Sequence, residues 1–152
     1  MHVLAFTRLT TANIRQDRMT VNTLRHLILQ KSVAELFQIE PLFPSVLQAG
    51  IVVPPVWEQQ GQLRMLRRDP RQNDSGWRIS REENEQINGQ FRSLFEIGCR
   101  FPSLIPFLAL PPGGSVVSNA QDVFVSYHGN VVSSHDSVLL KGIQNMGTIW
   151  TS

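Results

Sequence analysis

The segment from Arg67 to Ser80 reads RRDPRQNDSGWRIS and carries the most distinctive local pattern in the chain. Its Asp-Ser-Gly at 74–76 is typical of a turn in which the aspartate accepts a backbone N–H and the glycine takes a conformation that other residues avoid. Trp77 is expected to pack across this turn, where Arg67 or Arg78 can stack on its indole face. The segment therefore predicts a structural corner that brings two pieces of chain together.

The chain on either side of this corner predicts short elements. QLRMLRR is consistent with a strand that has Leu63, Met65 and Arg67 on one face. Upstream, Pro54-Pro55 cannot supply ladder hydrogen bonds, so Ile51–Val53 and Val56–Trp57 are expected to be short edge pieces. Downstream, Ser80 and Glu83 form a capping box that predicts a short helix over 81–89.

Further out, the apolar spacing predicts an amphipathic helix over 20–37 with Thr20 as its N-cap. FEIGCRF at 95–101 alternates apolar and other residues, and DVFVSYH begins at Asp122, so both predict strands. Strands outnumber helices and lack βαβ spacing, which predicts a single α+β domain with a mostly antiparallel sheet and two or three helices. We divide the chain into an N-terminal helical segment at 1–50, an α+β domain at 51–128 and a C-terminal strand or tail at 129–152.

Length and composition describe a globular protein of one domain. The 152 residues are 41% hydrophobic and 17% charged, and the single cysteine excludes an internal disulfide. We expect Cys99 to be a buried structural thiol on the apolar face of the predicted strand. The first ten residues lack the basic and apolar regions of a signal peptide, and no apolar run reaches the roughly 18 residues of a spanning helix. We therefore expect a cytoplasmic protein with no membrane partner.

No catalytic or metal-binding constellation is recognisable. Nucleophile, base and orienting group do not occur together in any pattern, and the four histidines show no metal-ligand spacing. We expect no enzymatic activity, no metal and no cofactor.

Six arginines lie between Arg64 and Arg81, although the net charge of the chain is only +2. Arginine binds phosphate, so this basic segment leaves a nucleic-acid-binding regulatory protein as an alternative function. Asp69, Asp74 and Glu82 are interleaved with the arginines and cancel much of their field. Direct nucleic-acid binding is therefore the weaker hypothesis.

The block MLRRDPRQNDSGWRIS resembles the immunity-protein family numbered thirty-three in the polymorphic-toxin series, once catalogued as a domain of unknown function. Members carry a Met-x-Arg strand, a proline-containing linker and an Asp-Ser-Gly-Trp-Arg core followed by acidic residues. The corresponding residues here are Met65, Arg67, Pro70, Asp74, Ser75, Gly76, Trp77, Arg78, Glu82, Glu83 and Glu85. FPSLIPFLALPPGGSVV further on resembles the proline-rich turn that precedes the last strand of the family.

The resemblance implies a cytoplasmic antitoxin that binds and silences a cognate bacterial toxin. Its partner is expected to be a secreted toxin, in some family members a DNase, delivered through an apparatus such as a type VI secretion system. The predicted toxin contacts are Arg67, Arg78, Glu82, Glu83 and Glu85. The predicted structural corner is formed by Asp74, Ser75, Gly76 and Trp77.

Overall fold

The computed structural model describes residues 23–54, 56, 61–81 and 88–149. The strands are β1 (Ala49–Val52), β2 (Leu63–Arg67), β3 (Asp74–Ser80), β4 (Gln90–Ser93), β5 (Gly114–Ser118), β6 (Val123–Tyr127) and β7 (Asn130–Ser133). The helices are α1 (23–35), α2 (Leu94–Arg100) and α3 (Val138–Ile149), with a 3-10 helix at Pro102–Phe107.

The strands form one seven-stranded sheet in the order β4-β1-β3-β2-β5-β6-β7. β1 and β3 run parallel, and every other neighbouring pair is antiparallel. The α+β fold with a mostly antiparallel sheet is confirmed. The predicted strands β2 and β6 are confirmed as well.

Strand β3, which carries the second half of the segment Arg67–Ser80, is an interior strand of the sheet. β3 pairs with β1 on one side and with β2 on the other, so Arg78 lies opposite Ile51 and Leu66. The prediction that Ile51–Val53 forms an edge piece is wrong, because β1 is flanked by β3 and β4. The strand ends at Val52, so the missing N–H of the following prolines removes no hydrogen bond from its ladder.

The prediction of a strand over 95–101 is also wrong, because these residues form helix α2 and its C-cap. The Ser93 side chain caps the helix by accepting the Glu96 N–H at 3.1 Å. Leu94, Ile97 and Gly98 are buried on one side of the helix, with the i, i+3, i+4 spacing of a helical face. Over only seven residues, a two-residue period and a helical period fit the same apolar pattern, so the spacing alone does not distinguish a strand from a helix.

The helical conformation of residues 94–100 also places Cys99 in a different environment from the one expected. On a strand, Cys99 would share the buried face of its neighbours, whereas on α2 it points away from the core and is exposed. The prediction of a buried structural thiol is therefore wrong.

The helices and the sheet share one hydrophobic core. Val33 of α1, Ile97 of α2, Phe107 of the 3-10 helix and Leu140 of α3 pack with Trp77 of β3 in a single buried cluster. The described part of the predicted helix 20–37 is confirmed over 23–35, and Thr20 lies outside the described residues. Packing of the helices against one face of the sheet leaves the side chains of the other face toward the surface.

The C-terminal region contains both β7 and α3, where the sequence predicted a strand or a tail. Ser80 is the last residue of β3, and Glu83 with most of the predicted helix 81–89 lies outside the described residues. The division of the chain at residues 50 and 128 stays a prediction.

Candidate functional site

The turn that leads into β3 is built by main-chain hydrogen bonds. Arg71 and Asp74 exchange two of them, at 2.9 and 2.7 Å, and the Asp74 carboxylate accepts the Gly76 N–H at 2.8 Å. Gly76 has a φ of +84°, and a Cβ at this position would overlap the carbonyl oxygen of Arg68. Position 76 therefore requires glycine for its backbone conformation and for the close approach of the main chain at Arg68.

Ser75 and Trp77 attach β3 to its surroundings. The Ser75 hydroxyl donates to the Ala49 carbonyl at 2.8 Å and accepts the Trp77 N–H at 3.3 Å. The Trp77 side chain is fully buried, and its indole Nε1 donates to the Leu108 carbonyl at 3.0 Å. A buried indole N–H requires such an acceptor. Asp-Ser-Gly-Trp is thus a structural unit that joins β1, β3 and the chain after the 3-10 helix.

Arg67 is buried beside Trp77 and bonds to main-chain carbonyls. Its Nε donates to the Ser75 carbonyl at 3.1 Å, and its guanidinium carbon lies 5.6 Å from the centre of the Trp77 ring. Its Nη1 donates to the carbonyls of Leu42, Leu108 and Leu110 at 2.7, 3.2 and 2.7 Å. Burial lowers the pKa of Arg67 to about 10, so the guanidinium remains charged at neutral pH.

The predicted stacking of an arginine on Trp77 is therefore observed for Arg67. Only 2% of Arg67 is exposed, and its donors are directed at four carbonyls from three parts of the chain. Its role as a toxin contact stays a prediction, and its contacts favour a structural role.

Arg78 follows Trp77 and faces the opposite side of the sheet. Successive side chains of a strand point to opposite faces, so Arg78 shares a face with its register partners Ile51 and Leu66. All three are half-buried. The Asp-Ser-Gly-Trp-Arg motif therefore has four residues that build the fold and a fifth that reaches the other surface.

Arg78 lines a concave site of about 640 Å³, which we name the arginine groove. Its charged or titratable lining residues are Arg68, Asp69, Arg71, Asp74, Arg78 and His128. They come from β3, from the connection between β2 and β3, and from the turn between β6 and β7. With histidine neutral, three arginines and two aspartates leave the groove with a formal charge of +1.

One wall of the groove is formed by His128 and Gly113. His128 has a φ of +46°, a conformation in which histidine is enriched among non-glycine residues. Its ring lies 4.2 Å from the ring of Tyr127 in a T-shaped contact, and Tyr127 in turn contacts Phe37 at 6.2 Å. A Cβ at Gly113 would lie 3.2 Å from two atoms of the imidazole. The imidazole therefore packs between the Tyr127 ring and the backbone at Gly113, which has no side chain.

The motif and the groove lie within one recognisable family region. A model of the Imm33-like domain matches residues 29–128, about two thirds of the chain. This chain belongs to the Imm33-like family. The match extends from α1 to His128 and includes every residue that lines the arginine groove. No curated protein and no solved structure matches the chain.

Within this Imm33-like chain, the predicted site residues do not lie together in one site. Arg78 lies in the groove, Arg67 lies in the core, and Glu82, Glu83 and Glu85 lie outside the described residues. Four charged or titratable lining residues of the groove were not among the predicted site residues: Arg68, Asp69, Arg71 and His128. The arginine cluster at 64–81 was the available signal for three of them. His128 is distant in sequence, and only the pairing of β2, β5 and β6 brings it near.

Among the described residues, no three His, Cys, Asp or Glu side chains are grouped closely enough to bind a metal ion in the Imm33-like fold. In the same part of the chain, no helix has the length and apolar character of a membrane span.

Proposed function

We propose that this Imm33-like protein neutralises a cognate bacterial toxin by binding to it stoichiometrically and without catalysis. The observation that carries the proposal is the family match over residues 29–128, which encloses a preformed charged groove beside the motif. Grooves of this volume with a few converging polar groups are typical of binding sites. The arrangement supplies recognition groups and no activated nucleophile.

We further propose a cytoplasmic protein whose partner is a nuclease effector delivered by a type VI secretion system. The sequence resemblance supports this choice of toxin class. The near-neutral charge of the chain supports inhibition through local contacts, because mimicry of nucleic-acid phosphates would require a strongly acidic surface.

The distribution of the arginines weighs against the alternative of a nucleic-acid-binding regulator. Arg67 is buried, and Arg81 donates to the carbonyls of Val56 and Gly61 at 3.1 and 3.0 Å. Five of the six arginines in the segment 64–81 are thus divided between the core, backbone carbonyls and the groove. A track for phosphates requires a continuous basic surface.

The test requires a candidate toxin, for which we would take the product of any toxin gene found next to the gene for this protein. We expect the two proteins to co-purify, and titration of the toxin with the full chain should reach complete inhibition near one equivalent, because occupancy has no turnover. Full protection at strongly substoichiometric amounts would indicate an enzyme that modifies the toxin or its target. Equal affinity for unrelated duplex DNA and for the toxin would favour the regulator.

A further inference from the structure

We propose that the arginine groove receives a carboxylate-bearing segment of the partner protein, with Arg71 and Arg78 as the recognising cations. This inference rests on the proposed function, since the family match implies a protein partner. The planar fork of arginine binds carboxylates through two parallel hydrogen bonds, which gives geometric selectivity as well as attraction.

The charge pattern of the groove suits an acidic protein segment better than a nucleic acid. Asp69 and Asp74 lie among the three arginines, so a run of phosphates would meet carboxylates along with cations. One oxygen of Asp74 already accepts the Gly76 N–H, which directs part of its charge into the turn. A short segment with one or two carboxylates can contact the cations and avoid the aspartates.

The volume of the groove also favours a short protein segment over a nucleic acid. About 640 Å³ lies in the range of pockets that enclose a small ligand or a few side chains. Ile51 and Pro112 add apolar contacts to the lining, which a peptide can use through its aliphatic carbons. A phosphate backbone with splayed bases would instead need an extended groove with aromatic platforms.

The main chain that carries the groove residues is held in place by the fold, which lowers the entropic cost of binding. Arg78 projects from a strand that is paired on both sides. Arg71 belongs to a turn closed by two main-chain hydrogen bonds to Asp74. The ring contact between His128 and Tyr127 fixes the remaining wall. These supports come from the fold itself, so the groove exists before the partner arrives.

The experiment follows the arginine side-chain N–H signals of the full chain by NMR during titration. The probes are a tetraglutamate peptide capped at both ends, the matching tetraglutamine peptide and an oligothymidylate of eight nucleotides. We expect tetraglutamate to shift the signals of Arg71 and Arg78, and tetraglutamine to leave them unchanged. In the double variant R71Q/R78Q, the affinity for tetraglutamate should fall about tenfold or more.

The control variant is Arg92→Gln, which removes one positive charge from an exposed residue of β4 outside the groove. It should leave peptide affinity within about twofold of the parent chain, as expected for a screened charge at a distance. An equal loss in this variant would show that net charge alone attracts the peptide. Absence of shifts with tetraglutamate, or tighter binding of oligothymidylate at the same arginines, would overturn the proposal.

Toxin binding separates this inference from the proposed function. If the chain inhibits its toxin at one equivalent and R71Q/R78Q inhibits equally well, the groove inference fails and the inhibitor function stands. If tetraglutamate binds as expected and no toxin is inhibited, the inhibitor function fails and the groove remains a carboxylate site. A melting temperature within a few degrees of the parent chain verifies that each variant is folded.

Discussion

Arg67 and Arg78 belong to the same fourteen-residue segment, yet they have opposite environments. Arg67 lies on the core face of β2, where its guanidinium bonds to carbonyls and contacts Trp77. Arg78 lies on the other face of β3 and lines the arginine groove. One residue type is thus buried in the core at one position and lines a surface groove at the other.

The difference is a matter of strand geometry. Arg67 is the register partner of Trp77, so the two side chains share the core face, and Arg78 is one residue further along. A shift of one residue in a strand reverses the face that a side chain occupies. Arginine suits both faces because its five donors can satisfy several carbonyls in the core, and its charge binds carboxylates at the surface.

The largest expected effect comes from the core side of the comparison. Trp77→Ala should lower the free energy of unfolding by about 3–5 kcal/mol, as is usual when a buried aromatic side chain is removed. Denaturant unfolding measures this change. Trp77→Phe keeps a ring but loses the indole N–H bond to Leu108, so it should have a smaller effect. Lost toxin inhibition with an unchanged melting temperature would instead identify Trp77 as a contact residue.

A pair of glycine variants separates backbone conformation from close packing. Gly76 and Gly129 have φ values of +84° and +83°, but only Gly76 lies against other chain atoms, and nothing lies within 4 Å of a Cβ at Gly129. Both substitutions to alanine carry a conformational cost of about 1–2 kcal/mol. Gly76→Ala should cost a further 1–3 kcal/mol or so by overpacking. Equal unfolding free energies for the two variants would contradict the role given to the contact with Arg68.

Arg67→Lys tests whether the core requires the guanidinium fork or only a positive charge. A lysine has its three donors at one atom and cannot reach carbonyls as widely separated as those of Ser75 and Leu110. The unsatisfied carbonyls should lower the free energy of unfolding by about 1–3 kcal/mol. Denaturant unfolding is again the measurement. Unchanged stability would mean that water or rearrangement of the chain replaces the lost hydrogen bonds.

The corresponding change on the groove side should hardly alter stability. Arg78 is half-buried at the surface of the sheet, so Arg78→Gln should change the free energy of unfolding by less than about 1 kcal/mol. The same denaturant experiment, run beside Arg67→Lys, makes the comparison direct. If Arg78→Gln lowered the free energy of unfolding as much as Arg67→Lys, the two faces of the sheet would not differ in their contribution to stability.

The smallest expected effect is the pH dependence of the core arginine. Burial lowers the pKa of Arg67 from its ordinary value to about 10 in the fold. Above about pH 10 the folded chain loses this proton before the unfolded chain does, so the stability attributable to Arg67 rises with pH there and is constant below. The stability difference between the parent chain and Arg67→Met should therefore be flat from pH 6 to 9. A slope in that range would show that burial alone does not account for the environment of Arg67.

The sequence by itself determined the family, the α+β class and the local chemistry of the motif. The Asp74 and Gly76 turn and strand β2 were predictable because they depend on neighbouring residues and on backbone preferences. The helix at Leu94–Arg100 was not, because its short apolar pattern fits both a strand and a helix. The interior position of β1 could not be predicted from the sequence either, because strand order depends on partners far along the chain.

Only the tertiary structure decided which arginines lie inside and what faces the groove. Register placed Arg67 with Trp77 and Arg78 on the opposite side, and the β5–β6 pairing brought His128 to a wall that also includes Gly113. The pairing of distant strands depends on the burial of the whole apolar face of the sheet. A short stretch of sequence does not contain this information. For this reason the motif could be recognised in the sequence, and the groove beside it could be seen only in the folded chain.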